Sequence, residues 1–348
     1  MTFKKHLINQ SSTVKEALAK LDKLAADAIL FVVDEDQKLV GSLTDGDVRR
    51  GLLKDLSIGQ KVIDFIQPNP KFIIKSNYSI KDLERFRKAN LKVIPVLNEN
   101  HQLINVINFR FLKSYLPIDA IIMAGGKGTR LKPLTDNTPK PLLKVADKPI
   151  IEHNIDRLIS YGIDDFWLSI NYLGDQLKDY FKNGESKGVK IEYITEDKPL
   201  GTVGAVRGIN KKLQHDAVLI TNSDILTNLN YEDFYKDFVR SDADLSVVTI
   251  PYEVLIPYAV LEMDKGSVKS FKEKPTYTYY SNGGIYLIKK ELLEFIPENE
   301  FYNATDLMEA LIKNGKKVNS YPLRGYWLDI GKHEDFKKAQ EDFKHIKF

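Results

Sequence analysis

The chain has 348 residues, 43% of them hydrophobic and none of them cysteine. That is apolar content enough for two buried cores, and it excludes disulfides, thiolate catalysis and Cys-ligated zinc. Lys and Arg number 51 against 48 Asp and Glu, a near balance without the long-range positive field by which nucleic-acid binders collect phosphates. No apolar run is long enough for a signal h-region or a membrane span. A cytoplasmic protein with neither nucleic-acid nor membrane partners is therefore expected.

Two segments of the first third repeat one pattern. In the first, Val14, Leu18, Leu21 and Leu24 have helical spacing, Ile29-Leu-Phe-Val-Val33 reads as a strand, residues 34–36 as a turn and Leu39-Val-Gly-Ser-Leu43 as a second strand. In the second, helical Ile80, Leu83 and Phe86 precede the strands Val93-Ile-Pro-Val-Leu97 and Leu103-Ile-Asn-Val-Ile107, joined by the turn 98–100. An internal duplication accounts for both, with copies at about 1–60 and 61–116 forming an N-terminal α+β module. Pro68-Asn69-Pro70 favours an extended connection between them.

From Pro117 the texture becomes short apolar runs at 120–123, 166–170, 191–194, 217–220 and 245–248, with amphipathic stretches such as Ile150–Tyr161 between several of them. The alternation predicts an α/β domain over 117–348, with a Rossmann-like mixed, mostly parallel sheet. The boundary falls near 115–118.

The run 120–123 leads into Ala124-Gly-Gly-Lys-Gly-Thr-Arg130. Glycines where a strand ends let backbone N–H groups approach an anion closely, so Ala124, Gly125, Gly126, Gly128 and Thr129 are candidate nucleotide contacts. Neither the P-loop pattern nor the third glycine of the dinucleotide fingerprint is satisfied, Leu131 standing in the latter place. By themselves the glycines fit a tight turn equally well. Beyond them, Arg130 and Lys140 flank a stretch stiffened by Pro133, Pro139 and Pro141, a cation pair that suits a triphosphate.

The segment 123–150, Met-Ala-Gly-Gly-Lys-Gly-Thr-Arg-Leu-Lys-Pro-Leu-Thr through Asp-Lys-Pro-Ile, resembles the signature of the sugar-1-phosphate nucleotidyltransferases. Pro199-Leu-Gly-Thr-Val-Gly204, Asn222-Ser-Asp224, Phe271-Lys-Glu-Lys-Pro275, Asn282-Gly-Gly284 and Trp327-Leu-Asp-Ile-Gly331 extend the likeness over nearly all of 117–348, in the family's order. The resemblance implies displacement of pyrophosphate by a sugar phosphate oxygen. A phosphate monoester has its second pKa near ~6 and is ionised at neutral pH, so no general base is required, and catalysis rests on positioning and charge. It further implies Mg²⁺ held by Asp224 and Asp329, each beside an apolar run and therefore near a strand end, where open parallel sheets gather ligands. Taken singly, either Asp fits a turn or helix cap as well. By the same likeness Arg130 and Lys140 contact the triphosphate, Lys274 the sugar phosphate, and Glu273 and Asn282 the sugar hydroxyls, with Gly283 beside them. Tyr277, Tyr279 and Tyr280 stand next to this set, where packing is the favoured reading over stacking on a sugar.

Tyr193-Ile-Thr-Glu196, leading to Pro199 and Gly201, resembles the family's base-contacting stretch. A carboxylate at Glu196 accepts two adjacent donors from guanine, but one from uracil or thymine. With the likeness to mannose-1-phosphate guanylyltransferases and to relatives acting on an amino-sugar phosphate, this points to GTP. A uridylyl- or thymidylyltransferase is the alternative, as is Glu196 facing solvent while backbone near Gly125 reads the base. A catalytically silent regulator and a glycosyltransferase are the readings from other classes.

The N-terminal repeats resemble tandem CBS domains, which often bind adenine nucleotides. Gly41-Ser-Leu-Thr44-Asp-Gly-Asp47 matches that family's ribose-binding pattern, implying contacts from Thr44 and Asp47. The second copy places Asn108 and Phe111 at the equivalent positions. A scaffold that binds nothing is the alternative, and either reading makes a homo-oligomer the expectation.

Overall fold

Three helices of the N-terminal region start on a hydroxyl residue followed three places on by an acid: Thr13 with Glu16, Thr44 with Asp47, and Ser79 with Asp82. Each pair satisfies N-terminal amides reciprocally, which fixes where Val14–Leu24, Asp45–Leu52 and Ile80–Lys88 begin. The computed structural model describes residues 3–346, and the chain divides into two compact units.

The first unit holds the repeats. One copy contributes the parallel pair Leu7–Asn9 and Leu30–Val33, the antiparallel Leu39–Leu43 and the short Gln67–Pro68, in that order across a four-stranded sheet. The other contributes Ile73–Ile74, Val93–Leu97 and Leu103–Asn108. In both copies a register shift falls at the same place on the hairpin, at Val32/Val33 and at Val96/Leu97. The first copy closes with the helix Asp45–Leu52, whereas the second passes through turns at 109–111 in the corresponding place. Ile8, Val14, Leu21, Leu30, Leu43 and Val62 form one core of this unit.

Residues Leu158–Asp165 and Asn183–Ile191 also belong to the first unit. The Lys75 ammonium bonds Asp164 at 3.1 Å and Asp165 at 2.9 Å, and the Tyr115 hydroxyl donates to Asp164 at 2.8 Å. Burial raises the Asp164 pKa against the pull of Lys75.

Apart from the first residues of three strands, at 118–119, 165 and 190–191, the second unit holds a seven-stranded sheet in the order Lys190–Thr195, Asp165–Ile170, Ile118–Met123, Ala217–Asn222, Thr276–Lys289, Leu245–Leu255, Val318–Pro322. It is mostly parallel, with Thr276–Lys289 reversed relative to both neighbours. Five of its strands coincide with the apolar runs read from sequence, and the helix at 150 runs Ile150–Ser160. Thr276–Lys289 opens with Tyr, Thr, Ser, Asn and Gly before its buried Ile285–Ile288, so hydrophobic patterning leaves its first half silent. Val206, Val218, Ile220, Ile288, Leu293 and Leu307 lie in the core of this unit.

Candidate active site

Four strand ends and two loops supply the site. The buried strand Ile118–Met123 passes into the glycine loop, where the Ala124 N–H donates to the Ser169 carbonyl at 2.8 Å and extends the strand's hold by one residue. Ala124 is itself buried. Gly128 has φ of 61°, and a Cβ there would meet Lys140 Cβ and Thr135 Cγ2 at 3.0 Å. Its freedom from a side chain therefore lets the loop lie against the segment that carries Lys140. The Thr135 hydroxyl closes the turn on the Gly128 carbonyl at 2.9 Å.

The two aspartates meet through a small antiparallel pair. Ile225–Thr227 pairs with Trp327–Asp329, with Ile225 opposite Asp329, and the Ile330 N–H donates to the Asp224 carbonyl at 3.0 Å. Residues about a hundred positions apart in sequence are thus pinned side by side. Lys140, 8% exposed, donates to Asp224 Oδ2. Asp329 has no such partner: its Oδ1 is buried without a hydrogen bond. Burial first, and then the Asp224 charge, push the Asp329 pKa up to about 6, while Lys140 and Arg130 pull it back. The Arg130 guanidinium lies against Gly331, its nitrogens 3.4 Å from where a Cβ would stand. An orphaned acidic oxygen beside a second carboxylate suits a hard divalent cation, and the donor set is oxygen throughout.

A cavity of about 420 Å³ is lined by Gly125, Gly126, Gly128, Thr129, Glu196, Pro199 and Gly201, together with Arg130, Lys140, Asp224 and Gly331. Glu196 is buried in its wall. Oε1 accepts from the Ser169 hydroxyl at 2.5 Å and Oε2 from the Leu200 N–H at 3.0 Å, while Asn171 Nδ2 donates to the Glu196 carbonyl at 2.7 Å. Glu196 therefore does not face open solvent. Gly201, at φ of 77°, packs where a Cβ would lie 2.6 Å from the Tyr302 carbonyl. Sequence reasoning assigned no role to Ser169 and Asn171, which hold Glu196, or to Thr202, Asn222, Ser223 and Phe301, which also line the cavity. Asn222 and Ser223 had a signal in their place at a strand end; Phe301, on a loop, had none.

The residues expected at the sugar phosphate do not line this cavity. Glu273 and Lys274 are exposed in the turn between Ser267–Lys272 and Thr276–Lys289, and neither lines the cavity. The Asn282 side chain accepts from the Gly284 N–H and the Tyr286 hydroxyl, each at 2.9 Å. The Gly283 carbonyl accepts from Trp327 Nε1 at 2.9 Å, and a Cβ at Gly283 would meet the Val248 carbonyl at 2.7 Å. These two shape the backbone and are also absent from the lining. Tyr279 and Tyr280 are exposed, which corrects the packing reading for these two, while Tyr277 is half-buried. In the first unit, Asp47 Oδ2 accepts from the Thr44 N–H at 2.8 Å and its hydroxyl at 2.6 Å, and Oδ1 from Arg50 at 2.5 Å. Both oxygens of that carboxylate are bonded, one in the helix cap and one in the ion pair with Arg50.

Loop amides beyond the strand Ile118–Met123, two cations and two acids brought together by a short antiparallel pair define a site for a polyphosphate. Comparison with known proteins narrows the class: residues 119–345, well over half of the chain, match the nucleotidyl transferase family, and the chain belongs to it. Residues 1–54 match the CBS domain. Among curated relatives, a mannose-1-phosphate guanylyltransferase of Mycobacterium tuberculosis is 32% identical over 65% of this chain and 64% of its own. A UTP–glucose-1-phosphate uridylyltransferase of Synechocystis is 29% identical over 63% and 62%. The matched stretch thus spans less than two thirds of each relative's length. HddC from Yersinia pseudotuberculosis, crystallised with GMP-PN, superposes with a TM-score of 0.52 at 28% identity, covering 65% of this chain and 99% of that one. The family uses a divalent metal ion.

Proposed function

We propose that this chain transfers a nucleotidyl group from a nucleoside triphosphate to a sugar 1-phosphate. A phosphate oxygen of the sugar attacks the α-phosphorus, the bond to the β-phosphate breaks, and pyrophosphate leaves with a nucleotide-diphosphate sugar as the other product. The observation that carries this reading is the cavity at the glycine loop, where Arg130, Lys140 and Asp224 share one wall space with the loop backbone. Amides of 125–129 cradle the phosphates and Arg130 and Lys140 offset the charge gathering on the leaving pyrophosphate. Asp224 and Asp329 would hold Mg²⁺, which when bound would neutralise phosphate charge. Lys140 now occupies Asp224, so it would turn from that carboxylate to the triphosphate as the ion binds.

GTP is the favoured donor. The two bonds that Glu196 accepts from Ser169 and Leu200 hold its carboxylate still and leave each oxygen a further lone pair for a guanine edge. The relative named as a guanylyltransferase and the neighbour crystallised with GMP-PN support this choice; the relative named as a uridylyltransferase keeps UTP, and with it dTTP, as the second reading. The acceptor is a mannose- or glucosamine-1-phosphate-like sugar, with Glu273, Lys274, Asn282 and Gly283 as its contacts once the strand pair that carries the first two meets the cavity. A silent regulator is disfavoured because Arg130, Lys140, Asp224 and Asp329 are all present.

The organisation read from sequence, a tandem CBS pair over 1–116 and a transferase domain over 117–348, accompanies this proposal, with a cytoplasmic homo-oligomer as its setting. An adenine nucleotide at Thr44 and Asp47 would share the Asp47 carboxylate with Arg50 and the cap bonds, a competition that supports the scaffold role for the first repeat. Pyrophosphate release, assayed over four triphosphates and a panel of sugar 1-phosphates, tests the function. Turnover with GTP and one sugar phosphate is expected, and the absence of release from every pair would refute it.

A further inference from the structure

Phe301 is the one aromatic side chain among the described residues that line the cavity at the glycine loop, and it is 62% exposed. Residues just after it are covered: Ala304 lies in the core of this unit and Tyr302 packs against that core. The backbone on both sides of the ring is held. The Tyr302 N–H donates to the Leu200 carbonyl at 2.9 Å, the Val203 N–H to the Tyr302 carbonyl at 3.0 Å, and the Ala304 N–H to the Thr202 hydroxyl at 2.7 Å. On the other side, a Cβ at Gly204 would collide with the carbonyl oxygens of Glu300 and Leu200. Residues 300–304 therefore lie against 200–204 as a fixed edge, and no slack in the chain carries the ring to cover. An exposed ring forgoes the gain of burial. In a cavity whose other walls include bare glycine backbone, an acid and two cations, a bound molecule restores that gain.

We propose that Phe301 is the stacking face for the nucleobase of the triphosphate, a reading that rests on the function proposed above. Two observations select the base over the rest of the substrates. Leu200 joins the ring to Glu196: its N–H donates to Glu196 Oε2 and its carbonyl accepts from Tyr302, the residue next to Phe301. A carboxylate takes the in-plane donors on a base's edge, whereas an aromatic ring takes the base's face, so both can act on one base without competing. The other parts of the substrates are also spoken for. Arg130, Lys140 and the loop amides suit the phosphates, and the residues expected to hold the sugar phosphate are absent from this lining. Every base has a π-face, so stacking is indifferent to which base is bound. The labour is thus divided: Glu196 chooses the base, and Phe301 holds whichever base has entered.

The experiment uses the full chain. Wild type, Phe301→Ala, Phe301→Leu and Phe301→Tyr are titrated by calorimetry with GTP, UTP and inorganic tripolyphosphate, which carries the phosphates but no base. Phe301→Ala should weaken GTP and UTP by similar factors of about 10, with tripolyphosphate affinity and the KM for the sugar phosphate unchanged. Phe301→Tyr, which keeps the ring, should restore affinity. Phe301→Leu, which keeps apolar bulk alone, should not. Undiminished GTP binding by Phe301→Ala, an equal loss for tripolyphosphate, rescue by Leu as complete as by Tyr, or a rise confined to the sugar-phosphate KM would each overturn the stacking role. A wild type that turns over GTP while Phe301→Ala binds it equally well sinks the stacking alone. A wild type that binds no triphosphate sinks the proposed function, and the stacking with it.

Discussion

Lys140 donates to Asp224 while Asp329, whose backbone neighbour Ile330 is bonded to Asp224, keeps a buried oxygen without a partner. The two acids are thus unequal. One is neutralised by a fixed cation, and the other bears the cost of sitting near a like charge.

That inequality separates the two substitutions in a metal-free protein. Asp224→Asn and Asp329→Asn should each lower turnover at least ~100-fold, because both remove charge from a reaction carried by electrostatics. In thermal unfolding with a chelator, Asp329→Asn should match or exceed wild type, since it removes the carboxyl whose ionisation burial and Asp224 oppose. Asp224→Asn should fall below it, leaving buried Lys140 without its counter-charge. Turnover near the wild-type rate in either variant would remove that aspartate from the mechanism.

Glu196→Gln should narrow the preference for GTP over UTP by roughly 1–3 kcal/mol in kcat/KM, the cost of a buried donor left without its acceptor. Ser169→Ala, which removes the hydroxyl held by Oε1, should narrow it less. An unchanged ratio in Glu196→Gln would move base recognition to the backbone near Gly125.

In the first unit, Asp47→Ala should destabilise the chain by about 1 kcal/mol through loss of the cap at Thr44. A thermal midpoint that rises with added adenine nucleotide in wild type but not in this variant would assign the ribose contact. No rise in either is the outcome the engaged carboxylate favours.

His6, in the first unit, supplies a pH test. Its ring bonds the Ile29 carbonyl at 3.0 Å, and burial, the largest influence, holds its pKa below the ordinary 6.5 against the opposing pull of that carbonyl. A histidine with a depressed folded pKa favours its neutral form. The stability it confers is whole above pH 6.5 and is lost as the pH falls through the folded value. Between pH 7 and 5 the wild-type unfolding midpoint should therefore drop further than that of His6→Asn. Parallel curves would show that burial does not restrain this ring.

The glycine loop, the cation pair and both aspartates were legible because each is a short motif at the end of an apolar run, and short motifs survive without knowledge of pairing. What brings Asp224 and Asp329 together is the ladder between Ile225–Thr227 and Trp327–Asp329, and three-residue strands leave no period to read. Glu196 was legible as an acid near a glycine turn, yet its dependence on Ser169 was not, since Ser169 lies inside a run read only as core. The extension of the sheet into the pair 249–255 and 276–282 was the least legible element. Thr276-Tyr-Thr-Tyr-Tyr-Ser-Asn282, the strand that faces 249–255, holds no aliphatic residue and so no apolar period to read.

The first unit draws on chain from well beyond the repeats: Lys75 and Tyr115 find their carboxylate at Asp164, and Asn183–Ile191 lies in the same unit. On a ribosome the repeats emerge first but cannot be completed until residue 191 has been added. At roughly 5–20 residues per second, the 72 residues from Asp119 to Ile191 impose a wait on the order of 4–14 s. Lys75 has no acid to meet for the first 45 of those residues, until Asp164 is added, roughly 2–9 s at that rate. A nascent chain arrested after residue 116 should accordingly be more open to protease within 70–116 than one arrested after 200.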